Sequence, residues 1–170
     1  MKKLSVIALL LVTVLLLASC GKAVDEIKEK VSDKPAITTE QLVEKVEKAG
    51  LYYEDNTEDY ASYDYVEKVI TVAKLDGANV LWQFDFIEAS EEKYSKGMFE
   101  TNKKTFEDGS SDNSTKSSVN LANYSTFKME TKGSSFRYLC RIDNTLVYVD
   151  IDSDYKDEVV DFLEDIGYVF

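Results

Sequence analysis

Three acidic side chains stand two positions apart near the end of the chain: Asp150, Asp152 and Asp154, in the stretch VDIDSDYKDE. Oxygen ligands at alternate positions are what the first half of an EF-hand calcium loop supplies. The rest of that pattern is missing. Counted from Asp150, the sixth position holds Tyr155 rather than glycine, and the twelfth holds Asp161 rather than glutamate. Val149 and Ile151 alternate with Asp150 as on a strand, where the backbone cannot curl around an ion. Composition restricts other chemistry. The absence of histidine removes Ser-His-Asp and Cys-His catalysis and the usual zinc ligand sets. No glycine-rich phosphate loop is present. The 32 acidic residues offer many carboxylate pairs for sugar hydrolysis, and none stands out. The sequence therefore assigns no catalytic residue, no metal ligand and no cofactor, and the binding residues stay unknown.

A chain of 170 residues with ordinary apolar and charged fractions has room for one globular domain. Its formal charge of −12 and pI near 4.5 argue against nucleic-acid partners and against electrostatic attachment to anionic lipid. From Ile37, TTEQLVEKVEKAG reads as a helix capped by Thr38 or Thr39, with Leu42, Val43, Val46 and Ala49 on one face and Gly50 as its stop. Residues 51–65 hold five of the eleven tyrosines. This segment reads as a connection whose rings pack at a sheet edge while the hydroxyls stay wet; the alternative is a sugar- or peptide-contacting loop. VEKVITVAKLDGANVLWQFDFIE has two apolar runs around Asp76-Gly77, a hairpin signal. Val80, Trp82, Phe84 and Phe86 face one way, Gln83 and Asp85 the other. A helix follows, capped by Ser90, with Tyr94, Met98, Thr101 and Thr105 sharing a face and Gly97 suggesting a close packing contact.

Residues 107–120, rich in Ser, Asp and Asn, read as a mobile loop between two halves. The second half then repeats the first. Three strands turn at Lys132-Gly133 and Asp143-Asn144, with Phe136, Tyr138, Cys140 and Ile142, and then Val147, Val149 and Ile151, alternating inward. Cys140 is thus an inert core thiol. A last helix runs from about Asp154 to Ile166, capped by Ser153 or Asp154, with Tyr155, Val159, Phe162, Leu163 and Ile166 inward and Gly167 as its stop. KLDGANV and RIDNTLV align, so each half is a hairpin followed by a helix.

The expected fold class is α+β: an antiparallel sheet of about five strands with three helices on one face. The other face, bearing Gln83, Asp85, Lys128, Glu130, Arg137, Arg141 and Tyr148, is expected to meet water. A two-residue turn at Asp143-Asn144 puts Arg137 directly across from Asp150, and the same count around Asp76-Gly77 puts Lys68 across from Asp85. Opposite charges so placed stabilise a sheet. This favours a structural role for Asp150 over a metal site.

The N-terminus carries the most specific signal. A basic start, Met1-Lys2-Lys3, precedes the apolar run from Leu4 to Leu17, which is shorter than the ~20 residues a spanning helix takes. Leu17-Ala18-Ser19-Cys20 follows: an aliphatic residue, two small ones and a cysteine. This resembles the lipobox of bacterial lipoproteins. The resemblance implies that diacylglycerol is attached to the Cys20 thiol, that signal peptidase II cuts between Ser19 and Cys20, and that Cys20 becomes the mature N-terminus. The expected organisation is a signal peptide at 1–19, a lipidated cysteine and tether at 20–36, and one α+β domain at 37–170. Fully extended, the 15 residues from Gly21 to Pro35 reach about 50 Å at ~3.3 Å each. With Cys20 acylated, Cys140 has no disulfide partner. The expected function is a non-catalytic binding or interaction module, lipid-anchored at the extracytoplasmic face of the cell membrane. Its partner would be a surface protein, a wall component or a small molecule. The alternatives are a carboxylate-dependent cell-wall hydrolase and a calcium-dependent surface protein.

Overall fold

The computed structural model describes residues 35–169, so the expected signal peptide at 1–19, all but the last two residues of the expected cysteine and tether at 20–36, and residue 170 lie outside the described residues. In chain order the elements are α1 (Thr39–Lys48), β1 (Tyr52–Asp55), a 3-10 turn (Thr57–Tyr60), β2 (Val66–Asp76), β3 (Asn79–Ala89), α2 (Glu92–Asp108), β4 (Ser114–Asn120), β5 (Tyr124–Thr131), β6 (Ser135–Ile142), β7 (Thr145–Asp152), a second 3-10 turn (Ser153–Tyr155) and α3 (Lys156–Asp165). The class is α+β, with seven strands rather than about five. The sheet is antiparallel throughout, in the order β1-β2-β3-β7-β6-β5-β4. The halves meet where β3 pairs with β7.

Two strands were hidden by composition. Residues 107–120 are not a loop: α2 runs to Asp108 and Ser114–Asn120 forms β4. This edge strand pairs only with β5 and is exposed along most of its length, so polar side chains carry no burial cost there. Likewise Tyr52 and Tyr53 enter edge strand β1.

The helices are split between the two faces of the sheet. Phe162 of α3 packs on Phe84, and Tyr168 beyond it packs on Phe86. Lys45 of α1 bonds Asp165 at the end of α3, 2.9 Å away, placing α1 and α3 together over the Phe84 and Phe86 side. Phe99 and Phe106 of α2 instead close over Phe127, Met129, Leu139 and Leu146, on the opposite side. The expected water-facing surface is therefore a second core. Arg141 is fully buried there, and Lys128 and Glu130 point to the α3 side, where Lys156 bonds Glu130 at 2.9 Å.

Local details follow from this layering. Thr38 caps α1 in a capping box with Gln41, and Leu42 and Val46 are its buried apolar residues. The buried positions of α2 are Ser95, Phe99 and Phe106. Met98 and Tyr94 are half-buried, and Thr101 and Thr105 are exposed. The inner face is thus rotated from the expected one, toward the aromatic residues that can reach the second core. Its N-cap is Glu91, not Ser90, and a Cβ at Gly97 would meet nothing, so no close contact explains that glycine. Val80 lies at the hairpin end and is exposed.

The β6–β7 register is the expected one, with Arg137 across from Asp150 and its Nε donating to Oδ1 at 3.0 Å. Asp152 rather than Ser153 or Asp154 caps the following turn, accepting from the Asp154 amide. The acidic triplet is thus split between a cross-strand pair and a cap. A double-mutant cycle with Arg137→Ala and Asp150→Ala should give a coupling of about 0.2–1 kcal/mol; denaturant titration of the four proteins measures it.

Candidate functional site

The β2–β3 hairpin departs from its expected register, and the departure builds a site. Asp76 pairs with Asn79, so the turn is Gly77-Ala78, with Gly77 at φ 61°. Irregularities at Lys74/Leu75 and Val66/Lys68 offset the strands further. Lys68 consequently faces Glu88, and its ammonium bonds Asp55 of β1 at 3.0 Å. Asp85 faces Thr71 instead of Lys68. The Thr71 hydroxyl donates to Asp85 Oδ1 at 2.7 Å and accepts from Asn56 Nδ2 at 2.9 Å. Among the described residues, Asp85 forms no ion pair.

Asp85 lies on the α2 side of the sheet, between α2 and residues 56–65. It lines a cleft of about 330 Å³ together with Tyr60, Tyr63, Tyr65, Val66, Ile87, Met98, Asn102 and Tyr148. The tyrosine-rich segment folds over the sheet because Asn56 and Thr57 pin its start. Asn56 bonds Thr71, and the Thr57 hydroxyl accepts from the Val69 amide at 3.1 Å. Hydrogen bonds from the Thr57 hydroxyl and amide, then from Lys68, hold the Asp55 carboxyl down at about 2. The rings form a chain: Tyr60 and Tyr63 have centroids 6.4 Å apart, Tyr63 and Tyr65 meet edge to face at 5.7 Å, and Tyr65 stacks on Tyr94 at 5.0 Å. Tyr60 and Tyr63 are 37% and 49% exposed, so aromatic surface is left open toward the cleft. Tyr148 is held from the other side by Phe106, 5.1 Å away.

Burial raises the Asp85 carboxyl above the usual aspartate range, and the Thr71 hydroxyl only partly opposes this. Burial, followed by the charge of Asp150, also raises Tyr148. A raised carboxyl binds its proton more tightly in the folded protein than in the unfolded chain. Its favourable contribution is complete below the unfolded value and is lost as pH rises through the folded one. Asp85→Asn should therefore raise the melting temperature at pH 7 and leave it unchanged at pH 3. Thermal unfolding at the two pH values measures the difference.

The other expectations take their places. Cys140 is fully buried and burial pushes its thiol far above the usual range, so it is no nucleophile. Among the described residues no group of His, Cys, Asp or Glu is placed to hold a metal ion, and no helix is long and apolar enough to cross a membrane. Ser19 and Cys20 lie outside the described residues. Sequence reasoning missed Asp85 as a site residue because it assigned Lys68 to it. The one signal was the tyrosine-rich segment, which places Tyr60, Tyr63 and Tyr65 in the lining of the cleft. No family model matches the chain, and neither a curated protein nor a solved structure matches it.

Proposed function

We propose that this chain is a lipid-anchored, extracytoplasmic binding module whose site is the tyrosine-lined cleft. Cys20 carries the lipid, cleavage falls between Ser19 and Cys20, and residues 20–36 tether the domain to the membrane. The observation that carries the binding role is the cleft itself: open aromatic rings around one half-buried carboxylate that forms no ion pair among the described residues. Burying a carboxylate without a cation costs stability, and groups held at such a cost concentrate at functional sites. A non-catalytic role fits the lining. Glycoside hydrolysis takes two carboxyl groups across the scissile bond, and among the described residues Asp85 is the single carboxylate in the lining. The partner is a small molecule or a wall or surface component that offers a group small enough to enter.

Two experiments test this reading separately. Cys20→Ser should leave full-length precursor that takes up no lipid label; normal processing and labelling would remove the anchor. For the cleft, the full chain in a non-ionic detergent should retain a component of its own cell-surface fraction, and Tyr63→Ala should lower that retention at least fivefold. Equal retention by the variant would remove the cleft from the function.

A further inference from the structure

We propose that the cleft recognises an organic cation, a quaternary ammonium or protonated amine held between the tyrosine rings and the carboxylate of Asp85; this inference rests on the cleft being the binding site. Three features of the cleft point to this chemistry. Among the described residues its lining contains one charged side chain, Asp85, and no lysine or arginine. Asp85 Oδ1 is fixed by Thr71, which is itself fixed by Asn56. The orientation of the carboxylate is thereby set from the loop that carries the tyrosines. Four of the nine lining residues are tyrosines, whose ring faces attract cations within about 6 Å. A half-buried carboxylate recovers its lost hydration best from a positive group. A neutral sugar would use the rings equally well and leave the charge unpaired.

The chain already makes this kind of contact beside the cleft. Lys93 places its ammonium 4.6 Å from the centre of the Tyr94 ring, and Tyr94 is stacked on Tyr65, a wall of the cleft. Lys93 is itself paired with Glu91 at 2.6 Å, so one carboxylate and one tyrosine already share an ammonium at the surface. The cleft brings the same two kinds of group together, Asp85 as the acid and tyrosines in its lining, and the ammonium would be supplied by a ligand. The net charge of −12 raises the local concentration of cations and speeds their arrival. The ammonium group could belong to a free small molecule or to a headgroup on a lipid or wall polymer; the chemistry at the rings is the same.

The test is titration calorimetry on the full chain in a non-ionic detergent. The cationic probes are choline and n-butylammonium. The neutral isostere of choline is 3,3-dimethyl-1-butanol, and N-acetylglucosamine represents wall sugar. At least one cation should bind, at least tenfold more tightly than the neutral isostere. Asp85→Asn and Tyr63→Ala should each weaken it at least tenfold while their unfolding stays cooperative. Detergent micelles doped with phosphatidylcholine distinguish the sources: binding to these as well as to free choline indicates a headgroup, and binding to free choline alone a soluble ligand. Equal affinity for choline and its neutral isostere, or undiminished binding by Asp85→Asn, would overturn the inference. So would binding of the sugar at a Tyr63-sensitive site with no binding of either cation, although the cleft would then stand as the binding site. If none of the four small probes binds, the cation is ruled out. The retention assay with Tyr63→Ala then decides independently whether the cleft is a site.

Discussion

Arg141→Leu should lower the unfolding free energy by about 3–5 kcal/mol. Arg141 is completely buried, and its guanidinium ties four parts of the chain together. One nitrogen donates to Glu92 Oε1 at 2.9 Å, at the start of α2, and to the carbonyl of Asp143 at 3.4 Å in the β6–β7 turn. The other donates to the carbonyls of Leu121 and Ala122, at 3.2 and 2.9 Å, and to Ser125 Oγ at 3.3 Å. Leucine would fill the space of the stem and leave the carbonyls of Leu121 and Ala122 without this donor, at about 1–3 kcal/mol for each group that stays buried, while the Asp143 carbonyl keeps the Ser95 hydroxyl at 2.6 Å. Glu92 is 49% exposed at its side chain and regains water when the arginine goes. Glu92→Gln should therefore cost less, about 1–2 kcal/mol, because the carbonyls keep their donor. Urea titrations of the two variants separate the cases. Equal losses would mean that the ion pair, and not the carbonyl set, holds this corner together.

Phe99→Ala should cost about 3–5 kcal/mol and Thr101→Ala less than about 0.5 kcal/mol. Phe99 stands in the second core with Phe106, Phe127, Met129, Leu139 and Leu146. Its removal opens a cavity between α2 and the sheet that rigid strands cannot collapse to fill. Thr101 is exposed, two residues further around the helix. The comparison tests the rotation of α2 directly. If Thr101→Ala were the costlier change, the helix would present the other face. The loss at Phe99 should appear as a fall of about 10 °C in melting temperature, and α2 should loosen the cleft wall that contains Met98 and Asn102.

The hairpins explain what was legible in advance. Asp143-Asn144 forms the expected turn, with Asp143 at φ 50°, and every β6–β7 pair follows from it. The second hairpin carries a similar signal, but a turn one residue later and two irregularities defeat the count. A count from the turn is only as good as the regularity of both strands, and bulges arise from packing that a sequence pattern does not show.

The faces of the sheet show the same division. Strict alternation placed Phe84, Phe86, Tyr138 and Cys140 in a core, because a pleated strand points successive side chains to opposite sides. It could not say that the opposite side is also covered. Phe127, Met129, Leu139 and Leu146 belong to that side, and buried Arg141 among them reads as a solvent residue until its partners are in place.

By itself the sequence determined the α+β class, the antiparallel hairpins, the three helices, the buried Cys140 and the Arg137–Asp150 pair. All of these depend on local periodicity or on a short count from a turn. Tertiary structure alone decided that the helices divide between two faces, that a serine-rich segment is an edge strand, and that Asp85 loses its lysine to a bulge. The reason is physical: each depends on which distant surfaces meet. Asp85 came to lie in a cleft of tyrosines only when residues 56–65 folded over the sheet on the same side as α2.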